Sequence, residues 1–323
     1  AVVDGLCAGT AAMIACMADV VIMTEKSELF MTAPFTADDK TAGAGTAENA
    51  AKSGVAAILA KDSEEAIAKA KQLLSVLPAN NLETAGNDYY MENDAAVSAD
   101  LKGIELISSV ADKESVIELY KQFGTSAVTA IGSLNWRTAG FVATNNGTKL
   151  TADDSAKIAR FVTLCDAYSI PVVTFVDSEG FEKSSAAELA GSIRDSAKLA
   201  QAYASATTAK IAVVTGKAYG SAYVALASTA AGSDFTFAWE GAVIAPTTPE
   251  AAVVFLNGVS EDNANQAQEY ADNEADAFTA AANGYVDRVI TAEDTKSALT
   301  SAIEATSSKR VVTPAKKHVN FVY

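Results

Sequence analysis

The sequence predicts an α/β fold with a mainly parallel sheet, in which one structural unit is built twice and its first copy is incomplete in this chain. Three observations carry this reading. Continuous β-branched runs alternate with helical segments between residues 138 and 310, the pattern of parallel strands covered by helices. A glycine-centred turn leading into a small-residue helix occurs twice. Half of the 323 residues are apolar, enough to fill one large or two medium cores.

The elements follow in order. Residues 138–144 (TAGFVAT) read as a strand and 152–168 as a helix, with Asp153 or Ser155 near its start. Residues 170–176 (IPVVTFV) form an unbroken apolar run, as a strand buried on both faces requires. Residues 185–206 have helical periodicity. Residues 210–215 (KIAVVT) are a second buried strand, followed by a turn over 216–220 and a small-residue helix to about Ala231. Strands near 235–239 and 242–246, helices around 249–256 and 261–282, a strand at 286–290 and a helix at 293–306 complete the order.

The repeat aligns residues 5–34 with 216–246, with one insertion. Gly9-Thr10-Ala11 falls on Gly220-Ser221-Ala222. Further on, Ser53-Gly54-Val55 falls on Asn283-Gly284-Tyr285, and an acidic helix start follows each: Asp62-Ser63-Glu64 and Glu293-Asp294-Thr295. Ala-rich segments match easily by chance, but the shared order of turn, helix, two strands, Gly-led strand and helix argues for two copies. Several strands and helices precede the turn in the second copy, and only four residues in the first. The first unit is therefore expected to lack its opening strands, which a longer parent chain or another polypeptide would supply. Residues 77–100, rich in Asn, Asp, Gly and Ala, read as an exposed connection. The expected division is residues 1–90 and 91–323.

Charge and composition exclude some functions. With 24 basic and 40 acidic groups the net charge is −16, so no basic footprint for nucleic acid is present. No apolar run approaches the roughly 20 residues of a membrane span, and no basic leader precedes an apolar stretch. Cys7, Cys16 and Cys165 have no paired spacing and read as free thiols of a reducing cytoplasm; with His318 as the single histidine, metal-ligand spacing is absent.

The two glycine turns are the places where chemistry fits best. Each joins a buried strand to a helix N-terminus, where backbone N–H groups are free and carry partial positive charge. Such amides can hold the oxygen of a thioester as it becomes an enolate. The small residues Gly9, Thr10, Ala11 and Gly220, Ser221, Ala222 let an acyl group approach. A turn that only packs would look the same in one copy; two copies in register favour function. Gly5-Leu6-Cys7-Ala8-Gly9 also fits the nucleophile elbow of hydrolases, making Cys7 an alternative nucleophile. Against it, the repeat counterpart of Cys7 is Ala218, and the one histidine lies near the C-terminus. Ser178-Glu179-Gly180-Phe181 follows a buried strand, where α/β ligands bind; Asp177 or Glu179 is functional there or merely solvated. Trp136 and Trp239 read as core or interface aromatics. Lys309-Arg310 with Lys316-Lys317-His318 is a basic island, suited to pair with phosphates or to clamp an acidic neighbour.

These residues resemble the carboxyltransferase subunits of biotin-dependent acyl-CoA carboxylases and decarboxylases. The stretch ARFVTLCDAYSIPVVTFVD over 159–177 resembles a helix and strand of that family's second domain. Glu179-Gly180-Phe181 stands where the family has Pro-Gly-Phe. Lys217-Ala218-Tyr219-Gly220-Ser221-Ala222-Tyr223 is similar to its Lys-Ala-Tyr-Gly-Gly-Ala-Tyr, and Cys7-Ala8-Gly9-Thr10-Ala11 to its Cys-Ala-Gly-Gly-Ala. Ala238-Trp239 and residues 281–290 (AANGYVDRVI) add to the match.

The resemblance implies two tandem crotonase-like domains, the first incomplete here, and active sites formed between the first domain of one subunit and the second of another. It implies catalytic backbone amides at Gly9, Thr10, Ser221 and Ala222, one pair for each reacting carbonyl. Substrate contacts are implied for Ala8, Ala11, Gly180, Phe181, Tyr219, Gly220, Tyr223 and Val224, with Val224 influencing the choice of acyl group. The implied reaction moves a carboxyl group between biotin, carried on a biotin carboxyl carrier protein, and an acyl-CoA. Carboxybiotin loses CO2 and the biotin enolate takes the α-proton, so no side-chain base is needed. The implied partners are that carrier, a biotin carboxylase or a membrane decarboxylase subunit, and further copies of the chain in a homo-oligomer. The family's Gly-Gly pairs are here Gly9-Thr10 and Gly220-Ser221, which keeps the N–H groups and adds bulk; a non-catalytic subunit that keeps the fold is therefore a third reading.

Overall fold

A computed structural model describes residues 1–36, 43–80, 83 and 91–312. The first part of the chain carries β1 (Val2–Val3), β2 (Leu6–Ala8), α1 (Thr10–Cys16), β3 (Ile22–Thr24), β4 (Glu28–Phe30), α2 (Ala47–Lys52), β5 (Ile58–Ala60) and α3 (Ser63–Val76). The remainder carries α4 (Gly103–Val110), β6 (Ile117–Leu119), β7 (Val128–Leu134), β8 (Arg137–Ala143), α5 (Ala152–Ala167), β9 (Val172–Ser178), α6 (Ser185–Ala190), α7 (Ser192–Ser205), β10 (Lys210–Tyr219), α8 (Gly220–Leu226), β11 (Phe235–Trp239), β12 (Val243–Ala245), α9 (Pro249–Asn257), α10 (Asn263–Asn273), α11 (Ala277–Ala282), β13 (Arg288–Ile290) and α12 (Thr295–Ala305).

The large sheet has the order β13-β11-β10-β9-β8-β7-β6, with β12 branching from β10. The strands from β8 to β13 pair in parallel, while β6–β7 and β7–β8 are antiparallel. Alternate residues of each strand enter two cores, as strand geometry requires. Val172, Val176, Ala212 and Val214 pack under α5, α7 and α8 with Ile158, Phe161, Leu199 and Leu226. Val173, Phe175, Ile211 and Val213 pack on the other face against α4 and α12, with Leu106, Ile107, Leu299 and Ile303. Both faces are covered, which is why these strands are apolar without interruption. Full burial of side chains such as Phe161 and Phe175 is worth about 1.5–3 kcal/mol each.

The repeat is reproduced pair by pair. β1 lies beside β3, and β3 beside β5, as β10 lies beside β11 and β11 beside β13. β2 pairs β4 through Leu6↔Glu28, Cys7↔Leu29 and Ala8↔Phe30; the end of β10 pairs β12 through Lys217↔Val243, Ala218↔Ile244 and Tyr219↔Ala245. Even the isolated antiparallel bridges correspond, Glu28↔Thr46 with Val243↔Asp276. Thr46 and Asp276 each cap the helix that follows, α2 and α11, with a side-chain oxygen. The fold is α/β of the crotonase type in tandem form.

Several expectations are corrected. The turn over 216–220 does not exist: β10 continues to Tyr219, and its register against β9 shifts between Val214 and Ala218. The helix expected to reach Ala231 ends at Leu226 and is followed by a separate 3-10 turn, Thr229–Ala231. The segment 185–206 is two helices broken at Gly191, whose φ of 80° is left-handed. The segment 261–282 is likewise two helices. Asp153 and Ser155 do stand at the start of α5, and Thr151, which the sequence reading did not single out, caps it in a reciprocal capping box with Asp154. Within the expected connection, Val97 is buried; residues 81–82 and 84–90 of it lie outside the described residues. So do Lys316, Lys317 and His318 of the basic island.

The two parts of the chain touch. Thr138 Oγ1 donates to Val76 O at 2.8 Å, and the Tyr120 N–H to Ala57 O at 2.8 Å. Arg160 bridges Tyr120 Oη at 2.7 Å and Ala18 O at 3.2 Å. Among the described residues no helix is long and apolar enough to cross a membrane.

Candidate active site

Both corners are built alike. A strand ends at Ala8 or Tyr219, a glycine with positive φ follows (61° at Gly9, 55° at Gly220), and a seven-residue helix begins. A side chain at that glycine would be strained, because L-residues avoid this backbone conformation. No side chain caps either helix start. The Gly9 N–H donates to Phe30 O at 2.9 Å, so Gly9 supplies shape rather than a free donor. The amides of Thr10 and Ala11, and those of Ser221 and Ala222, meet no acceptor among the described residues.

Thr10, Ala11, Ser221 and Val224 are exposed, Ala8 also, while Ala222 is buried under the helix. Of the four amides, those of Thr10, Ala11 and Ser221 therefore belong to exposed residues and that of Ala222 to a buried one, and small side chains flank them. Tyr219 is buried, and desolvation raises its hydroxyl pKa. Tyr223 points its hydroxyl to Tyr285 O at 2.6 Å; burial pushes it up to about 12, so it acts as a neutral donor anchoring α8.

Gly180 and Phe181 are brought to the second corner. A Cβ on Gly180 would lie 3.8 Å from Tyr219 O. The loop is stitched in place: Glu179 N–H to Thr148 O at 2.8 Å, Leu150 N–H to Gly180 O at 3.0 Å, and Ser178 Oγ to Gly180 O at 3.1 Å. Phe181 is half-buried against the main core. Glu179 forms an ion pair with Lys217, 2.7 Å apart; the hydrogen bond and charge of Lys217 hold the Glu179 carboxyl below the usual carboxylate range.

The other candidates separate from the corners. Cys7 is half-buried in β2 and packs on the small core of the first part. Trp239 is buried, its indole N–H on Thr295 Oγ1 at 2.9 Å, and Trp136 stands exposed in the β7–β8 turn. Lys309 is clamped by Asp234 at 2.8 Å and Thr208 O at 3.1 Å. A cavity of about 680 Å³ lies where α5 and α7 face the first part, lined by Asp19, Tyr120, Lys157 and Arg160 among others; none of the corner residues lines it. Sequence reasoning named Asp177 without assigning it a partner and quoted Lys217 within a motif without giving it a role; the glycine inside the stretch Thr215-Gly216-Lys217 was the available signal.

Duplicated corners on this fold define the class. A carboxyl transferase domain matches residues 1–321, and the chain belongs to the carboxyl transferase family; its activity is carboxyl transfer. The chain is 35% identical to the methylmalonyl-CoA carboxyltransferase 12S subunit of Propionibacterium freudenreichii subsp. shermanii, over 99% of this chain and 67% of that protein. It is 33% identical to the methylmalonyl-CoA decarboxylase subunit alpha of Veillonella parvula, again over 99% of the chain and 67% of the relative. A solved transcarboxylase 12S structure, described as a hexamer assembly with methylmalonyl-coenzyme A and methylmalonic acid bound, matches with a TM-score of 0.90 at 34% identity, over 99% of this chain and 67% of that one.

Proposed function

We propose that the chain moves a carboxyl group between carboxybiotin, presented by a biotin carboxyl carrier protein, and a short-chain acyl-CoA of the methylmalonyl or propionyl type. The observation that carries this is the pair of corners, equivalent in register, each offering two adjacent backbone amides without an acceptor. The family membership and the acyl-CoA substrates of the relatives support it.

Thr10 and Ala11 at one corner, Ser221 and Ala222 at the other, each hold a carbonyl oxygen as negative charge builds on it. Donors fixed in advance cost no reorganisation at that moment, and each is worth a few kcal/mol in comparable oxyanion holes. Biotin supplies the carboxyl group and, once decarboxylated, the base. The chain's own part is to orient both carbonyls and to shield them from water. Glycine at positions 9 and 220, with Ala8, Ala11 and Ala222 beside them, leaves room for the reacting groups, and Gly180 and Phe181 form the adjoining wall. Val224, exposed one turn into α8, meets the acyl group. The exposure of Thr10, Ala11 and Ser221 fits a site completed by a second copy, with residues 1–90 and 91–323 as the two functional domains. The further partners are a biotin carboxylase or a membrane decarboxylase subunit, and the setting is the cytoplasm.

The test is biotin-dependent decarboxylation of methylmalonyl-CoA or malonyl-CoA by the purified chain, with and without a biotinylated carrier. Turnover that requires biotin and survives Cys7→Ala supports the reading. Turnover that ignores biotin, or that vanishes in Cys7→Ala, overturns it.

A further inference from the structure

We propose that Asp177 is the positioning residue of the second corner: its carboxylate stands in for a missing ladder carbonyl and fixes the kink of β10 that aims Gly220, Ser221 and Ala222. The inference rests on the carboxyl-transfer reading of that corner and adds to it the part that sets its geometry.

The kink is visible in the pairing. β10 matches β9 residue for residue from Lys210↔Val172 to Val214↔Val176, and resumes at Ala218↔Ser178. Thr215, Gly216 and Lys217 therefore stand opposite Asp177 alone. On its other side β10 leaves β11 after Val214 and takes up β12 at Lys217. A bulge of this kind re-aims the strand and leaves a backbone donor without a ladder partner. Asp177 supplies that partner: Oδ1 accepts the Lys217 N–H at 2.8 Å. The carboxylate also fills the space over Gly216, where a Cβ would lie 2.5 Å from Oδ1 and 2.6 Å from Cγ. Glycine at 216 and aspartate at 177 are thus one fitted pair. Lys217 is held at both ends, its amide by Asp177 and its ammonium by Glu179 at 2.7 Å. Asp177 itself is fixed, its N–H donating to Thr144 Oγ1 at 3.0 Å.

Three residues separate this clamp from the first free amide, along a strand segment already paired to β12. Small errors of placement at an oxyanion-holding corner cost large factors in rate. A carboxylate stabilises no anion, so what Asp177 gives such a corner is geometric. At the first corner Leu6 stands in place of Lys217, so the ion pair with a facing carboxylate has no counterpart at that position.

The test uses Asp177→Ala, Asp177→Asn and Gly216→Ala in the full chain, read by steady-state kinetics and by amide hydrogen exchange at Lys217. Asp177→Asn keeps an oxygen of the same reach. Asp177→Ala is expected to lower kcat about tenfold with KM for acyl-CoA within about twofold, and to speed exchange at Lys217. Asp177→Asn is expected to keep at least about half of kcat and the slow exchange. Gly216→Ala is expected to be damaging alone and to add little in the Asp177→Ala background, where the carboxylate it strikes is gone. If Asp177→Ala does not fold, Asp177→Ser, too short to reach, takes its place with the same expectations. A folded Asp177→Ala with unchanged kcat, equal damage in Asp177→Asn, or additive effects with Gly216→Ala overturns the proposal. Absence of turnover in the unmodified chain sinks the functional reading instead; Lys217 exchange then still decides, and unchanged protection in Asp177→Ala overturns the positioning role.

Discussion

The two corners share a backbone plan and differ in what holds it. At the second, a ten-residue strand runs unbroken through a kink into the corner, braced by Asp177, Lys217 and Glu179. At the first, the same path is split into β1 and β2, and the intervening Asp4 turns away to accept from Thr24 Oγ1 at 3.0 Å and Ser63 Oγ at 2.5 Å. The glycines differ as well. A Cβ on Gly220 would stand 2.9 Å from Pro246 O, whereas one on Gly9 would meet nothing within 4 Å. Duplication has preserved the donors and the positive φ; the supports have diverged. Among the described residues the second corner is the more tightly braced of the two.

The glycines give the largest test of this contrast. Both Gly9→Ala and Gly220→Ala force a side chain into a conformation costing about 1–3 kcal/mol. Gly220→Ala adds the collision with Pro246 O and is expected to lower kcat about a hundredfold, while Gly9→Ala, free of such a collision, is expected to lower it about tenfold. Steady-state kinetics beside urea unfolding separates the two; equal kinetic loss at both glycines breaks the comparison.

Next in size is selectivity. Val224→Phe is expected to shift the kcat/KM ratio toward the smaller of two acyl-CoA substrates by about tenfold. Met13, its counterpart on α1, is also exposed, and Met13→Phe is expected to leave that ratio unchanged. A shift from both variants merges the roles of the corners.

Tyr223→Phe removes the bond to Tyr285 O and is expected to cost about 1 kcal/mol, seen as a lowered urea midpoint. The counterpart of Tyr223 is the buried Ala12, so α1 has no equivalent tie.

The smallest effect concerns pH. Lys217 depresses the Glu179 carboxyl, so its stabilisation is complete above the usual carboxylate value, about pH 4.3, and fades as pH falls through the depressed one. Glu179→Gln is expected to flatten this acid-side loss of stability, measured by unfolding across that range. The change is small and salt-sensitive because the side chains are 30% and 51% exposed. No such dependence is expected from Leu6.

The repeat was legible because its markers are local. Gly9 and Gly220 answer a backbone demand, and small residues follow each for packing reasons, so order and spacing survived where identity did not. The buried strands β9 and β10 were equally plain from their unbroken β-branched runs. What escaped notice depends on contacts distant in sequence. Thr215-Gly216-Lys217 reads as a turn from composition, and only the facing Asp177, some forty residues earlier, shows that it is a kinked strand. The hairpin joining β7 to β8 turns on Asn135 and Trp136, with φ of 48° and 72°. A tryptophan is a poor advertisement for left-handed backbone, and β6 and β7 went unread with it. Gly191 inside a helical pattern was visible but has the same spelling whether a helix tolerates it or stops.

The outward placement of Thr10, Ala11, Ser221 and Val224 carries one last implication. Donors bared to bulk water spend their hydrogen bonds on solvent, and the polarising strength that a dry pocket lends them is absent. On the proposed reading, whatever covers these corners must first displace that water. If a second copy supplies the cover, as proposed, rate per molecule climbs with protein concentration until the copies pair, and dilution alone acts as an off switch.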